Sequence, residues 1–496
     1  MLRAGSSVSG LHNQQQCSKF LLIPCRMKAN MRLLLRLLTS VLFHTFAGGV
    51  FTRSRFASGA QTSLRQKCAS PDMERVLLKD AAAKQGAVCL DGSPPVYYIR
   101  KGHGGGARKW VVFYGGGGWC MANATQNAAF EDCAARARTE YGSSRPVAEY
   151  TVGQWALSGS KEAFPEKLQT AGESCLPDVA KGPLDFKEWL STDPAVNPLH
   201  DWNVAYLWYC DGSSWTSDAP EPVRVGPRGE NQVFYRGHRI NLAMMEDLVV
   251  HQGLGEATHL LVSGFSAGGV AALLHIDKWA MRLRKEAAVR GHSAPLVYGF
   301  ARGPVFVPEV TESLSTRTPD IASHDAVLTA EDFRVGIYTR MDCAAGVPSQ
   351  CLAAKRATGS DERSCILAAE AAKYISTPTL IVRSVYDQWE LMHVAGISGD
   401  LKHPSREIMQ RANALGHWVE GELRTISATN THVSIRVHSC LCHSCSCSCD
   451  GRWLWDTEYR AGLVDWTVQA GGNFSQAKLT EKTKSYPSGG FCTSST

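Results

Sequence analysis

The stretch Gly264-Phe265-Ser266-Ala267-Gly268 has the residue types and spacing that most directly predict chemistry. It matches Gly-x-Ser-x-Gly and lies between an apolar run typical of a buried strand and a run of small, helix-forming residues. In that setting the serine sits on a turn so tight that nearby side chains would collide. The turn exposes the hydroxyl and directs the Ala267 N–H toward a developing oxyanion. We therefore predict Ser266 as a nucleophile, although the stretch alone also fits an ordinary glycine-rich turn.

A serine nucleophile requires a base, an orienting carboxylate and an oxyanion hole. In α/β-hydrolases the acid and then the histidine follow the serine along the chain. Asp387 comes just after the apolar run TLIVRSV, at the kind of strand end where such an acid lies. The spacing does not choose among the downstream histidines, which include His393, His403, His417, His432, His438 and His443.

The stretch FYGGGGWC, residues 113–120, is a second source of backbone N–H groups. It follows an apolar run and is comparable with the HGGG-type loops of esterases. A phosphate-binding loop is the main alternative. However, no Lys-Ser/Thr follows the glycines, and no Gly-x-Gly-x-x-Gly with an acidic partner is present. We predict an oxyanion-binding loop and expect no organic cofactor.

The cysteine-rich stretch near residue 440 permits a metal site as an alternative. Thiolates with His438 or His443 could bind zinc, and the candidate ligands are Cys440, Cys442, Cys445, Cys447 and Cys449. Structural zinc sites more often use two C-x₂₋₄-C pairs, and oxidised cysteines need no metal. We expect disulfides here and no metal.

Composition describes an ordinary globular chain of 496 residues, with 44% hydrophobic and 20% charged residues. Its formal net charge of +6 comes with scattered basic residues and no nucleic-acid-binding motif, so no nucleic-acid partner is expected. Seventeen cysteines indicate an oxidising compartment with several disulfides. Because 15 of them, an odd number, follow the N-terminal apolar run, a monomer must keep at least one free thiol. We expect a monomer.

The N-terminal segment has the features of a targeting sequence. Basic residues precede an apolar stretch from Leu37 to Phe51, which is shorter than a membrane-spanning helix requires. We predict that residues 1–67 are a leader, with a signal peptide or signal anchor and a linker. An organelle transit sequence is the alternative, since these residues contain no Asp or Glu. In a secreted chain, Asn123 and Asn473 would be glycosylation sites.

Predicted strands and helices alternate from Cys68 onward. This pattern favours a mostly parallel sheet flanked by helices, with the active site at the carboxyl ends of the strands. We assign residues 68–477 to a single catalytic domain and residues 478–496 to a poorly ordered tail. The polar stretches 161–190 and 310–335 are predicted surface insertions.

Several segments together resemble one family, the pectin acetylesterase/Notum carboxylesterases, and the plant pectin acetylesterases more closely than Notum. The resembling segments are residues 87–120, 197–218, 235–275, 374–391 and 439–445. The resemblance implies an α/β-hydrolase-like fold with Ser266 as nucleophile, Asp387 as acid and His443 as base. It also implies that the oxyanion donors are the N–H groups of Gly118, Trp119 and Ala267.

The activity implied is cofactor-free hydrolysis of carboxylic esters, with acetylated pectin or a related cell-wall polysaccharide as substrate. A secreted or cell-wall location follows, with retention by an uncleaved N-terminal anchor as the only membrane association expected. Two alternatives remain: a Notum-like protein-lipid deacylase or general carboxylesterase, and an inactive secreted binding protein with the same fold.

The chain departs from the family pattern at three positions. Gly115 stands where the family usually has Glu, and Phe265 stands where it has Cys. Ser444 separates His443 from the next cysteine, which leaves open the disulfide beside the base. For Asp211, in the motif YCDG, we favour a structural role in a turn over a role within the site.

Overall fold

The computed structural model describes most of the chain between residues 73 and 443. The described residues are 73–121, 126–145, 192, 194, 197–226, 228–309, 328–397, 401, 404–439, 441–443 and 479–482. The predicted leader, the two candidate glycosylation sites at Asn123 and Asn473, and the stretch 161–190 lie outside the described residues.

Nine strands form one mixed sheet, and two more form a separate hairpin. In chain order the strands are β1 (Glu74–Leu77), β2 (Val96–Arg100), β3 (Lys109–Tyr114), β4 (Asn203–Leu207), β5 (Val223–Val225), β6 (Asn231–Val233), β7 (His259–Phe265), β8 (Leu296–Arg302), β9 (Thr379–Ser384), β10 (Val433–His438) and β11 (Leu479–Lys482). The sheet order is β1-β2-β4-β3-β7-β8-β9-β10-β11, and β5 pairs with β6. Within the nine-stranded sheet, every neighbouring pair from β4 across to β11 is parallel, whereas β1–β2 and β2–β4 are antiparallel.

Helices connect the parallel strands, as a parallel sheet requires. The described α-helices are α1 (Lys79–Gln85), which lies between the antiparallel β1 and β2, and α2 (Gln126–Arg136), α3 (Gly237–Val250), α4 (Ala267–Arg290), α5 (Ser349–Thr358), α6 (Ala368–Ala371), α7 (Gln388–His393) and α8 (Arg406–Thr429). A π-helix spans Asp332–Thr339, and short 3₁₀ turns span Gly104–Gly106, Leu254–Glu256, Glu362–Ile366 and Ala372–Tyr374. The sheet and its helices confirm the predicted α/β-hydrolase-like class.

Both faces of the sheet are buried, because successive side chains of a strand point to opposite sides. In β3, Trp110, Val112 and Tyr114 enter the larger core, whereas Val111 and Phe113 enter the core on the other face. Helix α3 covers part of the larger core. The apolar positions that its 3.6-residue period predicted, Ile240, Met244, Leu248 and Val249, are completely buried.

Two predictions about polar segments need correction. We predicted a poorly ordered tail from residue 478, but Leu479–Lys482 pairs in parallel with β10. Without it, β10 would be an edge strand with unpaired N–H and C=O groups. The supposed surface stretch 310–335 is described only from Leu328, where Ala330 and Phe333 are buried and the π-helix begins. Its overall polar composition concealed these two apolar residues.

Disulfides are present, as the cysteine count predicted. Three pairs are Cys89–Cys210, Cys120–Cys133 and Cys351–Cys365. Cys442 is also disulfide-bonded. The predicted free thiol is found at Cys343, which is buried.

Within the described ranges, no helix combines the length and apolar character that crossing a bilayer demands.

Candidate active site

Ser266 lies on the turn between β7 and α4. Its φ of 55° is unusual for a residue other than glycine and marks a strained backbone. Its N–H donates to the carbonyl of Arg302 at 3.0 Å, which fixes the turn against β8. A Cβ on Gly264 would lie 2.2 Å from the carbonyl oxygen of Gly268, and one on Gly268 would lie 2.2 Å from that of Tyr114. Close backbone approach therefore explains both flanking glycines.

The structure brings Ser266, Asp387 and His443 together in one hydrogen-bonded chain. The His443 Nε2 lies 2.8 Å from the Ser266 Oγ, and its Nδ1 lies 2.8 Å from each carboxylate oxygen of Asp387. Because a carboxylate only accepts hydrogen bonds, Nδ1 carries the proton and Nε2 is left to accept from the hydroxyl. This arrangement can transfer the serine proton to the imidazole.

Electrostatics around His443 favour its charged form. Burial opposes protonation, but the charge of Asp387 and its hydrogen bond outweigh burial, so the pKa of His443 lies above its ordinary 6.5. Glu390 raises this pKa further, and Arg383 lowers it. An imidazolium formed by accepting the serine proton is therefore stabilised where it forms.

Strand order accounts for the meeting of these three side chains. Ser266 directly follows β7, whereas Asp387 and His443 follow the ends of β9 and β10. Strands β7, β8, β9 and β10 are adjacent and parallel, so their carboxyl ends lie at one edge of the sheet. His438, another of the downstream histidines considered from the sequence, is the last residue of β10. It is buried, and this burial lowers its pKa to about 4.

The predicted oxyanion residues lie on two neighbouring elements. Gly118 and Trp119 belong to the loop after β3, where Gly118 has a φ of 65° that favours glycine. Ala267 begins the 24-residue helix α4, whose N-terminus carries partial positive charge. In the part of the chain that the structure describes, the N–H groups of Gly118, Trp119 and Ala267 have no protein acceptor. They are thus available to a bound anion.

The departures at Gly115 and Phe265 have local explanations. A Cβ on Gly115 would lie 2.8 Å from the hydroxyl oxygen of Tyr206 and 3.1 Å from the carbonyl oxygen of Leu207, so a glutamate there would require Tyr206 to move. The Gly115 N–H donates instead to the carbonyl of Leu207 at 3.1 Å, which ties the loop to β4. The Phe265 ring packs against Gly116, where a Cβ would lie 2.8 Å from it.

A buried ion pair close to the turn that carries Asp387 was not predicted from the sequence. Arg383 and Glu390, both with fully buried side chains, are 2.6 Å apart. Glu390 also accepts the Phe306 N–H at 2.7 Å, and its own N–H donates to Asp387 at 3.2 Å. The pair therefore joins the end of β9 to α7, the helix that Asp387 caps. The signal in the sequence was the arginine inside the apolar run TLIVRSV, because a buried strand rarely contains an arginine unless its charge is paired.

Aromatic rings line the site beside the triad. Trp119 packs edge-to-face against Phe333 and Trp389, with ring centroids 5.0 and 5.8 Å apart. The Trp389 ring lies 6.1 Å from that of His443. These rings supply an apolar surface next to the reacting hydroxyl. Phe333 was not predicted, because the sequence gives no sign that its segment returns to the site.

Metal ligation finds no support in the described ranges, which contain no group of three or more His, Cys, Asp or Glu side chains that could hold an ion. Cys442 is oxidised and therefore not a thiolate ligand. The other members of the cysteine cluster lie outside the described residues.

Comparison with known proteins identifies similar chains. Pectin acetylesterase 5 of Arabidopsis thaliana is 30% identical over 324 residues, covering 65% of this chain and 60% of the relative. Pectin acetylesterase 4 of the same plant is 27% identical, covering 65% and 62%. A palmitoleoyl-protein carboxylesterase NOTUM of Schmidtea mediterranea is 24% identical, covering 61% and 47%. The matched region thus spans less than two thirds of the length of each relative.

A family model extends the match over most of the chain. The model described as Pectinacetylesterase matches residues 67–170 and 178–462. These ranges include every residue of the hydrogen-bonded chain and of the oxyanion loop. The chain belongs to the pectinacetylesterase family.

Proposed function

We propose that this protein is a serine carboxylesterase that removes acetyl groups from pectin or a related cell-wall polysaccharide. One observation carries the proposal: the Ser266 Oγ, the His443 imidazole and the Asp387 carboxylate are linked at 2.8 Å in a member of this family. Such a linked serine, imidazole and carboxylate activates a hydroxyl for acyl transfer.

The reaction proceeds in two steps. The His443 Nε2 takes the Ser266 proton as Oγ bonds to the acyl carbon, and the carbonyl oxygen becomes an oxyanion near the N–H groups of Gly118, Trp119 and Ala267. The carbon–oxygen bond to the sugar then breaks, and His443 returns the proton to the departing alkoxide. Water, deprotonated by His443, attacks the acyl carbon. The bond between that carbon and the Ser266 Oγ then breaks, His443 returns the proton to Oγ, and the carboxylic acid is released. Asp387 holds the imidazole throughout.

The acetyl–polysaccharide assignment rests on the relatives named pectin acetylesterases, which match at higher identity than those named palmitoleoyl-protein carboxylesterases. A lipid-ester substrate is the second candidate, since relatives of that name also match. An inactive binding protein would retain the fold but hydrolyse no ester.

In this account residues 1–67 direct the chain to the secretory pathway. Residues 68–477, with the strand Leu479–Lys482, form the catalytic domain of a secreted monomer.

The test compares three substrates with the purified full-length chain. Acetate release from acetylated pectin is measured beside hydrolysis of nitrophenyl acetate and nitrophenyl palmitate, with Ser266→Ala as the blank. We expect acetate release and little palmitate cleavage. Palmitate cleavage without pectin deacetylation would replace the substrate assignment with the lipid ester. Folded protein that hydrolyses none of the three would contradict the enzyme assignment.

The pH dependence of kcat/KM should report the His443 titration. The imidazole accepts the serine proton only when it is neutral, and its pKa lies above 6.5. We therefore expect kcat/KM for nitrophenyl acetate to rise with pH and to level off above an apparent pKa higher than 6.5. A profile already flat at pH 6 would contradict this.

A further inference from the structure

The loop Asp211–Trp215, which follows β4, has an unusual backbone. Ser214 and Trp215 have φ values of 55° and 57°, in the left-handed region that disfavours residues with a side chain. The fully buried Asp211 carboxylate accepts the N–H groups of Ser213 and Trp215, both at 3.0 Å. This is the structural role favoured from the sequence. A backbone conformation this costly persists only where surrounding contacts enforce it.

The Ser214 side chain connects the two elements that carry the oxyanion donors. Its Oγ accepts the indole N–H of Trp119 at 2.9 Å and donates to the Ala267 carbonyl at 2.8 Å. A hydroxyl is suited to this position because it can accept and donate at once. The glycine-rich loop and the first turn of α4 are thus held together through one buried oxygen.

Tyr209 makes the matching contact with Gly118. Its hydroxyl accepts the Ser214 N–H at 3.1 Å and donates to the Gly118 carbonyl at 2.8 Å. The C=O of Gly118 and the N–H of Trp119 belong to one peptide unit, and in a trans peptide they point in opposite directions. Holding the carbonyl toward Tyr209 therefore aims the Trp119 N–H away from it, with a fixed orientation.

His275 supports the same loop from within the core. Its Nε2 lies 3.1 Å from the Ser214 carbonyl, which can only accept, so Nε2 carries the proton. Burial holds the pKa of His275 well below its ordinary value, so the ring is neutral. Ser214 is thus bonded through its N–H, its C=O and its Oγ.

We propose that Ser214 and Tyr209 are positioning residues that orient the Trp119 N–H and hold the oxyanion loop of Gly118 and Trp119 against the first turn of α4, which carries the Ala267 N–H. This inference rests on the proposed esterase function. A loop of four glycines has a large conformational freedom, and an oxyanion hole is effective only when its donors are oriented before charge develops. The hydrogen bonds of Ser214 and Tyr209 supply that orientation without either side chain touching the substrate.

The test compares Ser214→Ala with a matched control, Ser217→Ala. Ser217 is a buried serine of the same loop region whose hydroxyl accepts the Gly237 N–H at 3.0 Å and bonds to the Ser213 hydroxyl. Both variants lose buried hydrogen bonds, but only Ser214 contacts the oxyanion residues. For nitrophenyl acetate we expect Ser214→Ala to lower kcat by about 10- to 100-fold, less than loss of a donor itself, with KM within about threefold. Ser217→Ala should keep kcat within about threefold.

A second variant covers the case in which Ser214→Ala fails to fold. Tyr209→Phe keeps the ring that stacks on Trp215 and removes only the hydroxyl, and we expect the same fall in kcat at nearly constant KM. Equal loss of kcat in Ser217→Ala, or full kcat in Tyr209→Phe, would overturn the inference. Failure of the proposed function is distinguishable, because the wild-type chain itself would then hydrolyse no ester.

Discussion

Ser266→Ala is expected to lower kcat for nitrophenyl acetate by about 10⁴- to 10⁶-fold, the range seen when a serine nucleophile is removed. The hydroxyl is the atom that bonds to the acyl carbon, and no other group replaces it. Alanine fits the same turn, because the flanking glycines already provide the space that the backbone requires. The variant should therefore fold, with a Tm close to that of the wild type.

Ser263→Ala is the matched control for this prediction. Ser263 lies three residues before Ser266, within β7, and is completely buried, but its hydroxyl donates to the carbonyl of Phe300 at 2.9 Å, away from His443. Loss of that bond should cost about 1 kcal/mol of stability and leave kcat nearly unchanged. Activity retained in Ser266→Ala, or lost equally in both variants, would show that Ser266 is not the nucleophile.

Asp387→Asn is expected to lower kcat by about 10⁴-fold. Both Asp387 oxygens lie 2.8 Å from the His443 Nδ1, so the carboxylate fixes the proton there. An asparagine amide can donate to Nδ1 instead, which moves the imidazole proton to Nε2. The imidazole then cannot accept the Ser266 proton. Loss of the carboxylate charge also removes the main factor that raises the His443 pKa.

Asp387 has a second role that needs its own control, because it caps α7 by accepting the N–H groups of Trp389 and Glu390. Asparagine caps helices about as well as aspartate, so we expect little loss of stability. Asp361→Asn repeats the same substitution at the cap of the 3₁₀ turn Glu362–Ile366 and should leave kcat unchanged. An Asp387→Asn variant within tenfold of wild-type kcat would contradict the assigned role.

Local patterns were enough to predict the sheet and the nucleophile turn. The glycines around Ser266 are required by backbone distances within a short segment, so the sequence carries that information directly. The buried stripe of α3 follows from its 3.6-residue period. Asp387 was indicated by its place after an apolar strand. The choice of His443 came from family resemblance, since residue spacing alone did not separate it from the other histidines.

Contacts between distant segments could not be predicted in this way. The Arg383–Glu390 pair, the Ser214 hydrogen bonds and the return of Phe333 to Trp119 depend on which loops meet in three dimensions. The strand Leu479–Lys482 was missed for the same reason, because its pairing partner, not its polar composition, makes it a strand. Two signals were nevertheless present: an arginine in an apolar run, and a serine pair after the YCDG motif.

The most direct test of the central claim is the site of covalent labelling by a fluorophosphonate, a reagent that activated serines attack with loss of fluoride. Full-length protein that hydrolyses nitrophenyl acetate is labelled, digested and mapped by mass spectrometry. We predict one equivalent of label on Ser266, loss of hydrolysis in proportion to labelling, and much slower labelling of His443→Ala. Stoichiometric label on another residue, or full hydrolysis after Ser266 is labelled, would contradict the assignment of Ser266 as the nucleophile.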